Sequence, residues 1–390
     1  MRPSCSLTNS PYAEARVYSW TIMNKDLLEL YSDYLLSSFS HTTATGLSRM
    51  STGEVSHDKI TRFLASEEMD SRALWRLVKP LARQVEGEDG VLIIDDTIEE
   101  KPYTDESELV CWHYDHSKGR SVKGINLISA LYHVEGTEGS TFPPGACVPV
   151  AFELVKKSEW IFDEKKQKWR RRSPETKNEA YRRMLSACKD NRLKFRYVLS
   201  DVFYSASENM SHIKEELKRE FIMALKTNRK VALSLEDKRK GAYERVGSLK
   251  LEPGAVLEVH LEQVRFPLFV LKEVFTNEDG STGVLYLASS DPTLDHERMS
   301  TIYHRRWKVE EYHKSLKSNA SLAKSPTKTT RTQSNHIFCS IHAFVKLERM
   351  RIATKLNHFA LRSRLCLKAV QAAFQELQRL QLADDEPLCA

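Results

Sequence analysis

Apolar residues recur every three to four positions through residues 22–39 (IMNKDLLELYSDYLLSSF), 56–66 (SHDKITRFLAS) and 71–85 (SRALWRLVKPLARQV), which predicts three amphipathic helices. Ser56, and either Asp70 or Ser71, are the expected caps of the second and third. EGEDG at 86–90 breaks the pattern. The run that follows, VLIIDD (91–96), reads as a buried strand ending in two carboxylates, and VKGINLISALYHV (122–134) and CVPVAFELV (147–155) supply two more strands. Residues 178–190 have helical spacing, KFRYVLSD (194–201) is another strand ending in an aspartate, and Glu208 to Glu220 is a helix with Ser207 as its expected cap. From 221 to 290 strand-like segments dominate: FIMALKT, KVALSLE, AVLEVHLEQV, LFVLKEVFT and TGVLYLASS, separated by Gly, Asn and Asp turns. YHRRWKVEEYHKSLK (303–317) reads as one helix with an apolar flank of Val309, Tyr312 and Leu316, and the chain is helical again from Asn335.

These elements define an α/β fold. The expected division is an N-terminal helical, DNA-binding region (1–87), a first core part (88–220), a β-rich insertion (221–295), a second core part (296–335) and a C-terminal helical region (336–390). Short N-terminal helices joined by polar turns are compatible with a helix-turn-helix type bundle and equally with an ordinary helical subdomain. The terminal helix carries Leu367, Val370, Phe374 and Leu377 at spacings of three and four, which suits intramolecular packing or a short dimer seam.

Composition narrows the class. The 390 residues are 41% hydrophobic and 29% charged, with no apolar run long enough to cross a bilayer. MRPSCSLTNSPYAEARVYSW lacks the basic-then-apolar plan of a secretory leader, so a cytoplasmic home is the expectation. Seven scattered cysteines without a CxxC pair argue against a disulfide framework and a thiolate zinc site. The net charge of +6 is modest, but KKQKWRRR (165–172, by extent), KDNRLKFR (189–196), KTNRK (226–230) and KSPTKTTR (324–331) concentrate cations beside aromatics, as a polyanion partner requires.

Two strands thus deliver aspartates at their C-terminal ends, Asp95 (with Asp96 as its neighbour and runner-up) and Asp201, and a helix offers Glu310. Side chains alternate along a strand, so only one of Asp95 and Asp96 faces the other carboxylates; Asp95 is the choice, with Asp96 holding the adjacent loop. Carboxylates at strand ends suit Mg²⁺, which takes oxygen ligands and keeps several waters, and such sites support phosphodiester exchange. At about 100° per residue, Tyr303, Arg306, Glu310 and Lys317 fall within one narrow helical face.

The spacing Tyr303, two residues, Arg306, three residues, Glu310, six residues, Lys317 resembles the YREK signature of bacterial cut-and-paste insertion-sequence transposases of the DDE group. VLIIDDT is similar to the first-aspartate strand of that family and YVLSDVFYSASENM to its second-aspartate segment, so the resemblance spans roughly residues 90 to 350. It implies an RNase H-like catalytic core interrupted by the β-rich insertion, a metal site of Asp95, Asp201 and Glu310 holding Mg²⁺ (Mn²⁺ substituting), and phosphate contacts from Tyr303, Arg306 and Lys317. Lys314 is a further DNA contact on that helix. The implied partners are double-stranded DNA, as terminal inverted repeats and target, and a second copy in a homodimeric synaptic complex in the bacterial cytosol. Some relatives stack a flipped base on a tryptophan of the insertion. No tryptophan occurs here between Trp169 and Trp307, leaving Tyr243, Phe266 or Tyr286 as substitutes or as core residues.

CWHYDHSKGRSVKGIN (111–126) holds His113, Asp115 and His116, a zinc-site candidate. The competing reading is a loop entering a strand, with Lys118, Arg120 and Lys123 on phosphate. Lys101 is expected to reach back toward Asp95 or Asp96. Two other functions fit the same residues: a transposase-derived DNA-binding protein without chemistry, and a two-metal endonuclease without strand transfer.

Overall fold

In the computed structural model, which describes residues 24–116, 118–136, 145–165, 167–252, 254–276 and 279–384, the N-terminal pattern forms four helices rather than three. They are α1 (Lys25–Ser37), α2 (Ala44–Met50), α3 (His57–Leu64) and α4 (Ser71–Val85). Ser56 caps α3 by accepting from the Lys59 amide, and Asp70 caps α4 by accepting from Ala73. Residues 1–20, read as lacking the plan of a secretory leader, lie outside the described residues.

The apolar runs become β1 (Val91–Glu100), β2 (Cys111–Asp115), β3 (Arg120–Val134) and β4 (Ala146–Leu154). A projecting pair, β5 (Glu159–Asp163) and β6 (Lys168–Arg172), precedes α5 (Lys177–Asp190), β7 (Tyr197–Ser200), α6 (Ser207–Ser211) and β8 (Glu220–Leu225). Then come β9 (Lys230–Val231), α7 (Leu235–Lys240), β10 (Glu244–Arg245), β11 (Val256–Val259), β12 (Leu268–Thr276) and β13 (Thr282–Ser289). The chain closes with α8 (His296–His304), α9 (Trp307–Ser318), α10 (Thr330–Thr354) and α11 (His358–Asp384).

One nine-stranded sheet, in the order β11-β12-β13-β8-β7-β1-β3-β2 with β4 also on β3, forms the centre. β1, β3, β2 and β4 pair antiparallel, whereas β7 runs parallel to β1 and β8 parallel to β7. This mixed sheet, with helices at both ends of the chain, is the RNase H-like arrangement. Its central strands are buried on both faces, Val91 to Ile94 completely, which explains why VLIIDD reads as an unbroken apolar run.

Several expectations change. Residues 221–225 form β8, in register with β7, so the β-rich stretch begins inside the core sheet and β13, β12 and β11 extend it. KVALSLE is a strand only at Lys230–Val231, because Ser234 caps α7 by accepting from the Asp237 amide and turns the backbone into a helix. Ser207 is the first residue of α6; its cap position is Ala206, which has no side-chain acceptor, and the helix passes into a π turn at His212–Glu216. The stripe Leu367, Val370, Phe374 and Leu377 on α11 is exposed, not packed within the chain. The N-terminal helices share the main core: α4 lies on β4, and α1 docks on α10 through Tyr31–His336 (3.0 Å) and Ser32–His342 (3.0 Å).

The predicted single helix over 303–317 is two helices. The amides of Arg305 and Arg306 bond back three residues, to Ile302 and Tyr303, and those of Lys308 and Val309 bond back to Arg305 and Arg306. The tighter turn ends α8 and starts α9, so Tyr303 and Arg306 do not share one continuous helical face. Val309, Tyr312 and Leu316 are buried as expected.

Candidate active site

Parallel pairing of β1 with β7 places Val91 opposite Tyr197 and Ile94 opposite Ser200. Asp95, the fifth residue of β1, and Asp201, the first residue past β7, stand one register step further on, side by side; the expectation that the first strand ends in its two carboxylates does not hold, because pairing with β3 carries β1 on to Glu100. Asp201 then leaves the sheet: its carboxylate accepts from the amides of Phe203 (3.0 Å) and Tyr204 (3.4 Å), capping the turn that follows. The Asp95 carboxylate accepts from the Asp96 amide (2.8 Å).

Burial, reinforced by the charges of Asp201 and Asp96, pushes the Asp95 carboxyl up to about 7. Burial likewise raises Asp201, against the two amides it accepts from. Asp96 behaves oppositely. Burial disfavours its charge, but the Lys177 ammonium at 2.7 Å, Asn126 Nδ2 at 2.7 Å and the Tyr204 hydroxyl at 3.0 Å outweigh that and hold it below the usual carboxylate range. Asp96 is therefore spent on structure, tying β1 to α5 and β3, while Asp95 is the carboxylate of β1 next to Asp201.

Arg306, at the α8–α9 junction, connects the third carboxylate. Its Nη2 donates to Glu310 Oε1 at 2.8 Å and its Nη1 lies 3.6 Å from Asp95 Oδ2. Its guanidinium sits over the Trp307 ring at 5.1 Å. Glu310 is 44% exposed and turned onto this arginine. Among the described residues no three His, Cys, Asp or Glu side chains converge closely enough to hold a metal ion, so the structure brings Asp95 and Asp201 together and leaves Glu310 on the far side of Arg306.

The remaining residues singled out in the sequence are mostly engaged within the chain. The Tyr303 hydroxyl donates to the Ser200 carbonyl (3.4 Å), and the Lys317 ammonium to the Ile98 carbonyl (3.0 Å), which pins α9 to β1. Lys314 lies over the Phe359 ring at 5.4 Å. Lys118 pairs with Glu100, Arg120 is 3.9 Å from the same carboxylate, and Lys123 is the cross-strand neighbour of Trp112. Lys101 does not approach Asp95 or Asp96; its ammonium donates to the Ala323 carbonyl (2.8 Å). Glu311 pairs with Lys308 at 2.9 Å. His113 is buried against Cys111 Sγ (3.3 Å) and His116 packs edge-on to Tyr114, with Asp115 closing the β2–β3 register opposite Arg120; no zinc cluster forms among the described residues.

Sequence reasoning missed Lys177, Asn126 and Tyr204, the partners that separate Asp96 from Asp95. Their only signal is positional: each lies on an element flanking β1, but in sequence they are 30 to 108 residues away from it. It also missed a cleft of about 1050 Å³ beside Asp201 and Arg306, walled by Val274, Phe275 and Trp307. Of the aromatics expected as base stackers, Tyr286 is buried and Phe266 packs on Phe221; neither these nor Tyr243 lines that cleft.

A mixed RNase H-like sheet carrying neighbouring aspartates on two parallel strands, one within β1 and one just past the end of β7, defines a nuclease-type α/β domain. The family model of DDE superfamily endonucleases matches residues 22–254, more than half of the chain, and that of the transposase DDE domain matches residues 174–345. The chain belongs to the DDE superfamily endonucleases, in their transposase branch, and its activity is of the transposase-type nuclease class. No curated protein matches it. Among the described residues, no helix is long and apolar enough to cross a membrane.

Proposed function

We propose that this protein is a DNA transposase: it cleaves double-stranded DNA at transposon ends and joins the freed end to target DNA, with Asp95, Asp201 and Glu310 as its catalytic carboxylates. The observation that carries the reading is the register relation of Asp95 and Asp201, two buried carboxylates brought together where β7 ends beside the middle of β1, with Arg306 3.6 Å from Asp95. Asp95 and Asp201 would hold a divalent ion, whose charge would relieve the crowding that lifts the Asp95 carboxyl to about 7. Two carboxylates fit Mg²⁺, or Mn²⁺ in its place, because such ions bind through one or two protein carboxylates together with water and substrate phosphates. Bound there, Mg²⁺ supplies activation of water or a 3′-hydroxyl and neutralisation of the leaving oxygen.

Within this reading the chain's own groups divide the work. Asp95 and Asp201 are held by strand register. Glu310 joins them when its arginine partner turns to DNA. Arg306 suits that exchange, since its buried Nε has no hydrogen-bond partner among the described residues and phosphate offers the acceptor. Tyr303, Lys317, Lys314, Lys118, Arg120 and Lys123 are proposed DNA contacts, with residues 24–87 adding a helical DNA-binding surface on the same body. The exposed stripe of α11 supports assembly of two copies on paired ends, and the bacterial cytosol, at the nucleoid, is the proposed place of action.

The test is a labelled terminal-repeat duplex incubated with a target plasmid in Mg²⁺, Mn²⁺, Ca²⁺ or excess chelator. Cleavage and joining in Mg²⁺ and Mn²⁺, with binding alone in Ca²⁺, is the expected result. Cleavage without joining identifies an endonuclease, binding without cleavage a DNA-binding protein, and full activity in chelator removes the metal assignment.

A further inference from the structure

The segment from Lys157 to Arg172, KSEWIFDEKKQKWRRR, carries seven Lys or Arg against three Asp or Glu, for a net charge of +4. It folds into the β5–β6 hairpin, which pairs with no strand of the main sheet. Cross-strand register sets Trp160 opposite Arg171 and Phe162 opposite Trp169, so these four side chains share one face of the hairpin. The Arg171 guanidinium lies over the Trp160 ring at 4.6 Å, and Phe162 meets Trp169 edge to face at 5.5 Å. The hairpin is anchored beside the sheet's edge strand: the Lys157 ammonium donates to the Trp112 carbonyl (2.5 Å) and Arg171 to the Lys157 carbonyl (3.4 Å).

Hairpin and edge strand enclose a cleft of about 730 Å³, walled by Trp112, Tyr114, Trp160 and Trp169 and bordered by Lys168 and Arg170. That volume lies in the usual range for ligand sites, about 300 to 1,000 Å³. Trp112 is 53%, Tyr114 54%, Trp160 54% and Trp169 63% exposed. Single exposed aromatics are ordinary, but four converging on one cleft mark a binding surface. His113 of β2 lines the inner wall of the cleft, and β2 pairs with β3, whose other neighbour is β1, so one strand separates the cleft's edge strand from the strand that carries Asp95.

The chemistry selects the occupant. An apolar protein partner gains little from a hairpin of net charge +4. Duplex DNA satisfies the cations but keeps its base faces stacked inside, leaving the aromatic rings with nothing to cover them. A strand with unpaired bases offers both phosphates for the cations and π-faces for the rings. We propose that this cleft binds unpaired nucleotides of a DNA strand, stacking bases on Trp112, Trp160 and Trp169 and holding phosphates with Lys168 and Arg170. The inference deepens the transposase reading and rests on it for its DNA substrate: a strand melted at the cut end is received at the edge of the sheet that carries the carboxylates.

The full chain is titrated into fluorescein-labelled dT15 and into a 15-base-pair duplex in Ca²⁺, followed by anisotropy. The Trp160→Ala/Trp169→Ala variant is expected to bind dT15 at least about tenfold more weakly while duplex affinity stays within about twofold, and Trp160→Phe/Trp169→Phe to recover most of the loss. Circular dichroism melting of the variants checks that the exposed substitutions leave the fold intact. Unchanged dT15 affinity in the alanine variant overturns the inference, as does equal loss on both DNAs, which reduces the surface to a charge patch. Dissociation of an oligomer in sedimentation, with dT15 affinity preserved, overturns it in favour of a second copy. The two readings fail separately: tryptophan-dependent dT15 binding without any end cleavage sinks the transposase reading alone, and normal end cleavage with tryptophan-independent dT15 binding sinks this one alone.

Discussion

Arg306 and Glu310, one helical turn apart, form an ion pair at 2.8 Å, and the same guanidinium reaches across to Asp95 at 3.6 Å. A cation of the protein therefore stands among the carboxylates proposed to hold metal.

The pair predicts a divergence between ion binding and catalysis. Arg306→Ala removes the competing charge, so Mn²⁺ should bind the DNA-free protein about tenfold more tightly, one nearby charge being worth on the order of 1.4 kcal/mol. The same variant should lose cleavage and bind terminal-repeat DNA with a salt slope reduced by about one counterion. Calorimetric Mn²⁺ titration and a salt series check this; weaker Mn²⁺ binding than the parent contradicts the bridging role.

Substituting Glu310 addresses the third carboxylate directly. Glu310→Gln should abolish cleavage yet keep or slightly strengthen binding to the terminal repeat, because a repulsive charge is gone. Its half-exposed position predicts a stability change within about 0.5 kcal/mol, so loss of activity is not loss of fold. Normal cleavage by the purified variant takes Glu310 out of the site.

The two neighbouring aspartates should separate cleanly. Asp95→Asn is expected to be inactive but as stable as the parent or more so, since a crowded carboxylate is neutralised. Asp96→Asn leaves Lys177 without its counter-charge in a half-buried setting and should cost about 2 to 3 kcal/mol in urea unfolding. An inactive, fully stable Asp96→Asn beside an active Asp95→Asn exchanges the assignments.

Acid sensitivity follows from five described histidines that burial keeps neutral: His133, His336 and His342, each lowered to about 4, and His113 and His313, each lowered to about 3. Their folded values lie below the unfolded one of about 6.5, so the unfolded chain takes up the extra protons. Stability should be full above about pH 6.5 and fall as pH drops toward 4, each histidine contributing about 1.4 kcal/mol per pH unit. Urea midpoints at pH 7.5 and 5.0 measure the slope, and His336→Gln should flatten it by one proton.

The central strands were legible because burial on both faces leaves an unbroken apolar run, as in Val91 to Ile94, and the ends of those runs marked Asp95 and Asp201. The break at Arg305–Arg306 was not legible, since no Gly or Pro marks it and its cause is tertiary: Arg305 is drawn to Glu135 at 2.7 Å while Arg306 turns to Asp95. The β5–β6 hairpin was hidden for a different reason. Its lysines and arginines occupy both faces of β6, so no period-two pattern survives and the stretch reads as a charge cluster. Likewise the α11 stripe has the spacing of a packed helix, and only the three-dimensional structure shows that it stays exposed among the described residues.

The docking of α1 on α10 carries a consequence for biosynthesis. Tyr31 meets His336 across 305 residues, Ser32 meets His342 across 310 and Glu29 pairs with Lys346 across 317, so α1, which packs early only on α3 through Tyr31 and Phe63, meets α10 when nearly the whole described chain has followed. A chain released early leaves Leu28, Tyr31 and Leu35 without the cover of α10 and is open to proteases as an unfinished protein. The fold thus makes its own completion a condition of its stability.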